Sequence, residues 1–99
     1  MRLVIRSIKD KATQDIFDGL NSKSARKLPA ELRSKARRQL DLLNGAAQLE
    51  DLRVPPGNRL EALSGDLKGF HSVRINDQWR IIFRWQAGNA SDVQIVDYH

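Results

Sequence analysis

Three adjacent residues at the end of the 99-residue chain, Asp97, Tyr98 and His99, carry groups that could do acid–base chemistry. An imidazole titrates near neutral pH and can act as acid or base, a carboxylate can orient it, and a phenol can donate a hydrogen bond. A histidine at a chain end is also an ordinary solvated residue. The ending alone therefore leaves two interpretations, a proton-transfer site and a plain chain terminus.

A predicted β-hairpin, residues 70–85, with a tight turn at Asn76-Asp77, carries three arginines that could bind an anion. Its second strand alternates apolar side chains with Arg80 and Arg84, and its first strand adds Arg74 to the arginine face if the pairing is antiparallel. The other face is apolar, and we interpret it as core. It comprises Trp79, Ile81, Phe83 and Trp85.

The composition favours an anionic partner and argues against a thiolate or structural zinc centre. The net charge is +5, and nucleic acid is the usual partner of so basic a domain. The charge is dense between Lys23 and Arg38, although a solvated helix face would look the same. With no cysteine and two histidines, we expect neither a thiolate metal site nor a structural zinc centre.

The order of predicted elements indicates a single α+β domain, residues 1–99, with an antiparallel sheet that carries helices packed on one face. No apolar run is long enough for a membrane span or a signal peptide, so we expect a cytoplasmic protein. The predicted order begins with a strand at residues 3–5, helices at 10–19 and 29–43, one further helical turn at 46–52 and an irregular segment at 55–57. A strand at 59–63, the hairpin, a turn at 86–91 and a last strand at 92–99 follow.

Three segments taken together resemble the HigB toxins, which belong to the RelE superfamily of toxin-antitoxin ribonucleases. They are residues 58–66, residues 72–83 and the ending 96–99, and the resemblance covers nearly the whole chain. It implies a small RelE-like fold and a toxin that cuts messenger RNA in the ribosomal decoding site without a metal or other cofactor. It also implies that a cognate helix-turn-helix antitoxin, similar to HigA, silences the toxin.

The resemblance assigns roles to individual positions. Asp97, Tyr98 and His99 match a family ending that acts in catalysis, and Arg80 matches an arginine that handles the scissile phosphate. Where several relatives have a functional histidine and lysine, this chain has Glu61 and Ser64. Glu61 could take the role of base, or it could be an exposed strand carboxylate. Further residues predicted to bind RNA or phosphate are Arg74, Arg84, Lys68, Arg33, Arg37 and Arg38.

Two other functions remain open at this point. One is a toxin of the same fold that acts by binding, like the ParE-type poisons of DNA gyrase. The other is a non-catalytic RNA-binding protein that blocks translation by occupying the decoding site. The ending Asp97-Tyr98-His99 favours the ribonuclease, because a pure binder needs no acid–base group there.

Overall fold

A computed structural model describes residues 3–98, and it contains two α-helices followed by a four-stranded sheet. The sheet is antiparallel, with strand order β1-β2-β3-β4. The predicted α+β class is therefore confirmed. The elements are α1 (Lys11–Phe17), α2 (Ala30–Asn44), β1 (Glu61–Ala62), β2 (Phe70–Arg74), β3 (Trp79–Gln86) and β4 (Asn89–Asp97).

Both helices begin where the sequence predicts. Asp10 caps α1 by accepting a hydrogen bond from the backbone N–H of Thr13 at 3.1 Å, which satisfies a donor that the first helical turn leaves free. Pro29 precedes α2, where its missing N–H costs no helical hydrogen bond. Gly45 follows the end of α2, as the Asn-Gly pair predicts.

One hydrophobic core lies between the helices and one face of the sheet. Helix α2 contributes Ala36, Leu40 and Leu43, which share a face at helical spacing. The sheet contributes alternate residues of its strands, as period-two patterning requires. The sheet residues of this core are Val73, Trp79, Ile81, Phe83, Ala90, Val93 and Ile95, and Trp85 packs against them.

The N-terminal strand predicted at residues 3–5 does not form as a regular strand. Instead, Ile5 and Ile8 make two isolated parallel bridges to β4. The side-chain oxygen of Asn44 accepts hydrogen bonds from the N–H groups of Val4 and Ile5, at 3.1 and 3.0 Å. The end of α2 therefore engages donors that a continuous ladder would need.

The connections also differ from the predicted ones. The hairpin turn spans four residues, 75–78, because the side chain of Asn76 accepts hydrogen bonds from the N–H groups of Gln78 and Trp79. The loop predicted at 86–91 shrinks to Ala87-Gly88, both at positive φ, so β4 begins at Asn89. Short 3₁₀ helices occupy Leu49–Arg53 and Pro56–Asn58. Of the strand predicted at 59–63, only Glu61 and Ala62 form a strand, which is β1.

Candidate active site

We call the face of the sheet that lies away from the helices the open face, and four of the predicted site residues lie on its strands: Glu61, Arg74, Arg80 and Arg84. The strand register places Glu61 beside Ser72, Arg74 beside Arg80, and Arg84 beside Phe70. Phe70, Ser72 and Ile82 on this face are buried, but none of them belongs to the helix-side core. The alternation read from the sequence therefore assigned the arginines to the correct face.

Arg80 lies at the centre of a cluster of functional groups. Its Nη1 donates to the hydroxyl of Ser72 at 3.0 Å, and its Nη2 donates to Oε1 of Glu61 at 3.4 Å. Its Cζ lies 4.9 Å from the ring centroid of Tyr98, a cation–π distance. The Arg80 side chain is only 14% exposed, so its guanidinium is held in one orientation.

The C-terminal end of β4 is fixed to the hairpin turn through Gln78. The side-chain amide of Gln78 donates to Oδ2 of Asp97 at 3.0 Å, and its backbone carbonyl accepts from the N–H of Tyr98 at 2.6 Å. Sequence reasoning missed this residue, because a bond across 19 positions depends on the strand register. Tyr98 is thus brought to Arg80, Asp97 lies opposite Trp79 in the strand register, and His99 lies outside the described residues.

A second arginine–aromatic pair lies at the other end of the open face. The Cζ of Arg84 lies 4.6 Å from the ring centroid of Phe70, and its Nε lies 4.0 Å from Oδ2 of Asp92. Arg74, which faces the same way, forms an ion pair with Asp77. The structure therefore places Arg74 and Arg84 on the same surface as Arg80, each with its own partner.

The cations of α2 lie apart from this surface, because α2 packs on the opposite face of the sheet. Arg38 is exposed, Arg33 is half-buried, and the guanidinium of Arg37 lies against Gly19. Nζ of Lys35 donates to the carbonyl of Ile75 at 2.6 Å and so supports the hairpin turn. These residues form a separate basic surface and are not brought together with Arg80.

Lys68 and Ser64 lie in the loop between β1 and β2, and both are exposed. Lys68 follows a 3₁₀ turn and comes two positions before Phe70. Because Phe70 pairs with Arg84, this loop places the cation of Lys68 near the Arg84 end of the sheet. Ser64 contributes no charge where several relatives would have a lysine.

His71 faces the helix side of β2. Its ring stacks on Phe83, with the ring centroids 6.1 Å apart and the planes at 22°. Burial lowers the pKa of His71 below its ordinary value of 6.5, and the nearby charge of Arg53 lowers it further. We therefore interpret His71 as a packed histidine. Among residues 3–98, no three His, Asp or Glu side chains converge as metal ligands would.

Comparison with known proteins gives consistent matches in sequence. A family model described as the RelE-like toxin of the type II toxin-antitoxin system HigB matches residues 6–99. Toxin HigB-1 of Vibrio cholerae serotype O1 is 42% identical over 82 residues, which cover 83% of this chain and 84% of that protein. The protein named Endoribonuclease HigB of Proteus vulgaris is 28% identical over 97 residues, covering 97% of this chain and all of that protein.

Solved structures share the fold. The YoeB dimer from Staphylococcus aureus aligns with a TM-score of 0.60 at 22% identity, covering 100% of this chain and 99% of that one. YafQ from E. coli aligns with a TM-score of 0.58 at 13% identity, covering 98% of this chain and 93% of that one. The helices and antiparallel sheet are therefore a known arrangement. No helix among residues 3–98 is both long and apolar enough to span a bilayer.

Proposed function

The chain belongs to the HigB-like family, RelE-like toxins of type II toxin-antitoxin systems, and we propose that it is a metal-independent endoribonuclease that cuts messenger RNA in the ribosomal decoding site. The observation that carries this proposal is the cluster around Arg80. A guanidinium held by Ser72 and Glu61 lies against Tyr98, at the end of the strand that leads to His99. The protein named Endoribonuclease HigB, 28% identical, supports the reaction class.

The chemistry that suits this cluster is transesterification within the RNA strand. The ribose 2′-oxygen loses its proton to a base and bonds to phosphorus, while the bond from phosphorus to the 5′-oxygen breaks and that oxygen takes up a proton. The products are a 2′,3′-cyclic phosphate and a 5′-hydroxyl. His99 would transfer protons, because an imidazole titrates near neutrality. Arg80 would bind the phosphate oxygens, whose charge increases in the transition state.

The other members of the cluster would position these groups. Asp97 would orient His99 or tune its charge, and Gln78 would fix the Asp97 carboxylate through its 3.0 Å hydrogen bond. Tyr98 would donate a hydrogen bond or stack on a base. Glu61 is exposed and hydrogen-bonded to Arg80, so its carboxylate occupies a position where an RNA phosphate could compete for the guanidinium.

A cognate antitoxin is the regulatory partner, as membership of a toxin-antitoxin family implies. A solved heterotetrameric YoeB–YefM toxin-antitoxin complex from Staphylococcus aureus contains a chain of this fold, at a TM-score of 0.56 and 18% identity. We propose that the antitoxin of this chain is a HigA-like helix-turn-helix protein. Cytoplasmic ribosomes and messenger RNA would be the other partners, and the basic surface of α2 suits ribosomal RNA.

The test is to incubate the purified protein with programmed ribosomes and to map both ends of the cut message. Excess chelator, compensated with only enough magnesium to keep the ribosomes intact, tests metal independence. We expect cuts inside translated frames that leave 2′,3′-cyclic or 3′-phosphate ends. Uniform 3′-hydroxyl ends would exclude this mechanism. Intact messages with broken DNA in cells would indicate gyrase poisoning, and intact messages on stalled ribosomes a non-catalytic blocker.

A further inference from the structure

The surroundings of Arg84 fix its guanidinium with one side covered. The ring of Phe70 lies beneath it, with Cζ 4.6 Å from the ring centroid. Gly69, at φ +94, allows the guanidinium to approach the backbone, since a Cβ at that position would lie only 3.1 Å from Nη1. The carboxylate of Asp92 lies at the Nε edge at 4.0 Å.

The exposed fractions of Phe70 and Arg84 show which of the two side chains faces the solvent. Phe70 is only 9% exposed although it lies outside the helix-side core, whereas the Arg84 side chain is 42% exposed. The cation is therefore the outer layer, and the exposed part of the Arg84 side chain can accept another flat group. Unpaired bases of single-stranded RNA stack on arginine planes in this way, and an aromatic ring below the cation holds the plane in place.

The spacing along β3 relates this pair to the proposed site of cleavage. Arg80 and Arg84 face the same way and are four residues apart, which corresponds to about 13 Å along a strand. Stacked nucleotides advance by about 3.4 Å, so this distance corresponds to roughly four stacked nucleotides and to fewer in an extended strand. Lys68, exposed two positions before Phe70, supplies a cation for the backbone of the same segment.

We propose that Arg84 and Phe70 form a nucleobase-stacking subsite for single-stranded RNA, which recognises a base two to four nucleotides from the scissile phosphate. This inference rests on the proposed function for its substrate, and it adds a residue pair that selects sequence. In this proposal Arg84 contacts a base of the message, whereas a general phosphate contact would bind only the RNA backbone. Glycine at position 69 and Asp92 are the residues that keep the plane oriented.

Sequence preference is the property to measure, with Arg84→Lys as the variant and Arg74→Lys as the matched control. Both substitutions keep the charge and remove the planar group, but Arg74 has an ion pair with Asp77 instead of a ring beneath it. Ribosomes programmed with a message randomised around the cut give the base frequencies at each position. We expect Arg84→Lys to flatten a modest preference at one position, since stacking strength differs between bases, and to lower affinity for the message by roughly fivefold or more, since a base stack contributes about 5- to 150-fold.

Arg74→Lys should leave the pattern of preferences unchanged. If the two variants give the same pattern of preferences and the same affinity for the message, Arg84 is a phosphate contact and the subsite does not exist.

A binding measurement that needs no cleavage separates this inference from the proposed function. In NMR titrations with a short 2′-O-methylated single-stranded RNA, the Nε–H resonance of Arg84 should move upfield as a base stacks on it, and that of Arg74 should not. If wild-type protein fails to cut but Arg84 responds in this way, the proposed function is wrong and the subsite remains. If it cuts and Arg84 does not respond, only the subsite is wrong.

Discussion

The two arginine–aromatic pairs on the open face are built from similar parts in opposite order. At one end Arg80 is 14% exposed and Tyr98, 42% exposed, is the outer group. At the other end Arg84 is the outer group and Phe70 lies beneath it. The same type of contact therefore holds the cation inside at one end and presents it to solvent at the other.

This difference in layering indicates a difference in task. Arg80 also donates to Ser72 and Glu61, so its fork is oriented before any ligand arrives. A preorganised charge stabilises a transition state well, because little reorganisation is needed during the reaction. Arg84 has one carboxylate neighbour at 4.0 Å and a side chain that is 42% exposed, which suits recognition of variable bases. We expect changes at the Arg80 end to affect rate and changes at the Arg84 end to affect preference.

Deleting His99 should have the largest effect. The deletion removes the proposed proton-transfer group and should reduce single-turnover cleavage by roughly 10² to 10⁴. Stability should change little, because the core residues of β4, Val93 and Ile95, remain in place. His99→Ala removes the same imidazole while keeping the backbone, and it should lose as much activity. A truncated protein that folds, binds antitoxin and still arrests growth as strongly would show that His99 is not catalytic.

Arg80→Lys should come next. Lysine keeps the charge but loses the planar fork that donates to Ser72 and Glu61, so we expect cleavage to fall by about 10² while ribosome binding is retained. Arg84→Lys is the comparison at the other end, and on a preferred message it should lower the rate only in proportion to the lost base stack. Equal losses of rate from both substitutions, at every message sequence, would remove the functional difference between the two ends. Quench-flow rates at saturating ribosome provide the measurement.

Glu61→Gln tests whether this carboxylate is a base or a competitor for Arg80. The ion pair at 3.4 Å is partly exposed, and such pairs contribute about 0–1 kcal/mol. As a competitor, Glu61 should weaken binding of RNA phosphate, so the glutamine variant should bind programmed ribosomes up to about fivefold more tightly with a similar cutting rate. A fall in rate of 100-fold or more with unchanged affinity would instead identify Glu61 as the base.

The basic surface of α2 should act in docking to the ribosome rather than in the reaction at the open face. Arg33→Ala, Arg37→Ala and Arg38→Ala should each lower the salt slope of ribosome binding by about one unit, equivalent to roughly three- to fourfold between 50 and 200 mM salt. Single-turnover cleavage at saturation should stay close to normal. Lys35→Ala should in addition lower the free energy of unfolding by about 1 kcal/mol, because the hydrogen bond to Ile75 is lost. An unchanged salt slope in all four variants would mean that these cations form only a solvated helix face.

The alternation of residues in β3 was enough to predict which arginines share a face, because period-two patterning depends only on local sequence. The partners of those arginines could not be predicted in the same way. The contact of Arg84 with Phe70 depends on the register between two strands, and the bond from Gln78 to Asp97 depends on a second register. Long-range side-chain hydrogen bonds also account for the N-terminal error, since Asn44 engages the donors of a segment 39 to 40 positions away.

His71 provides the smallest expected effect and a control for both ends of the open face. It lies between Phe70 and Ser72 in β2, but its ring faces the other side and stacks on Phe83. If chemistry occurs only on the open face, His71→Phe should leave cleavage unchanged at neutral pH, because phenylalanine preserves the stacked ring. Loss of cleavage in a folded His71→Phe protein would place an essential imidazole on the helix side and contradict the assignment to His99.

The same variant should change how stability depends on pH. Burial and Arg53 lower the pKa of His71 in the folded state below 6.5, so the unfolded chain binds more protons over the interval between the two pKa values. Stability should therefore decline as pH falls below about 6.5 and level off below the folded pKa. In His71→Phe this component is absent, so thermal midpoints measured at about pH 7.5 and pH 5 should differ less than in the parent. An identical difference in both proteins would mean that His71 titrates alike in the folded and unfolded states.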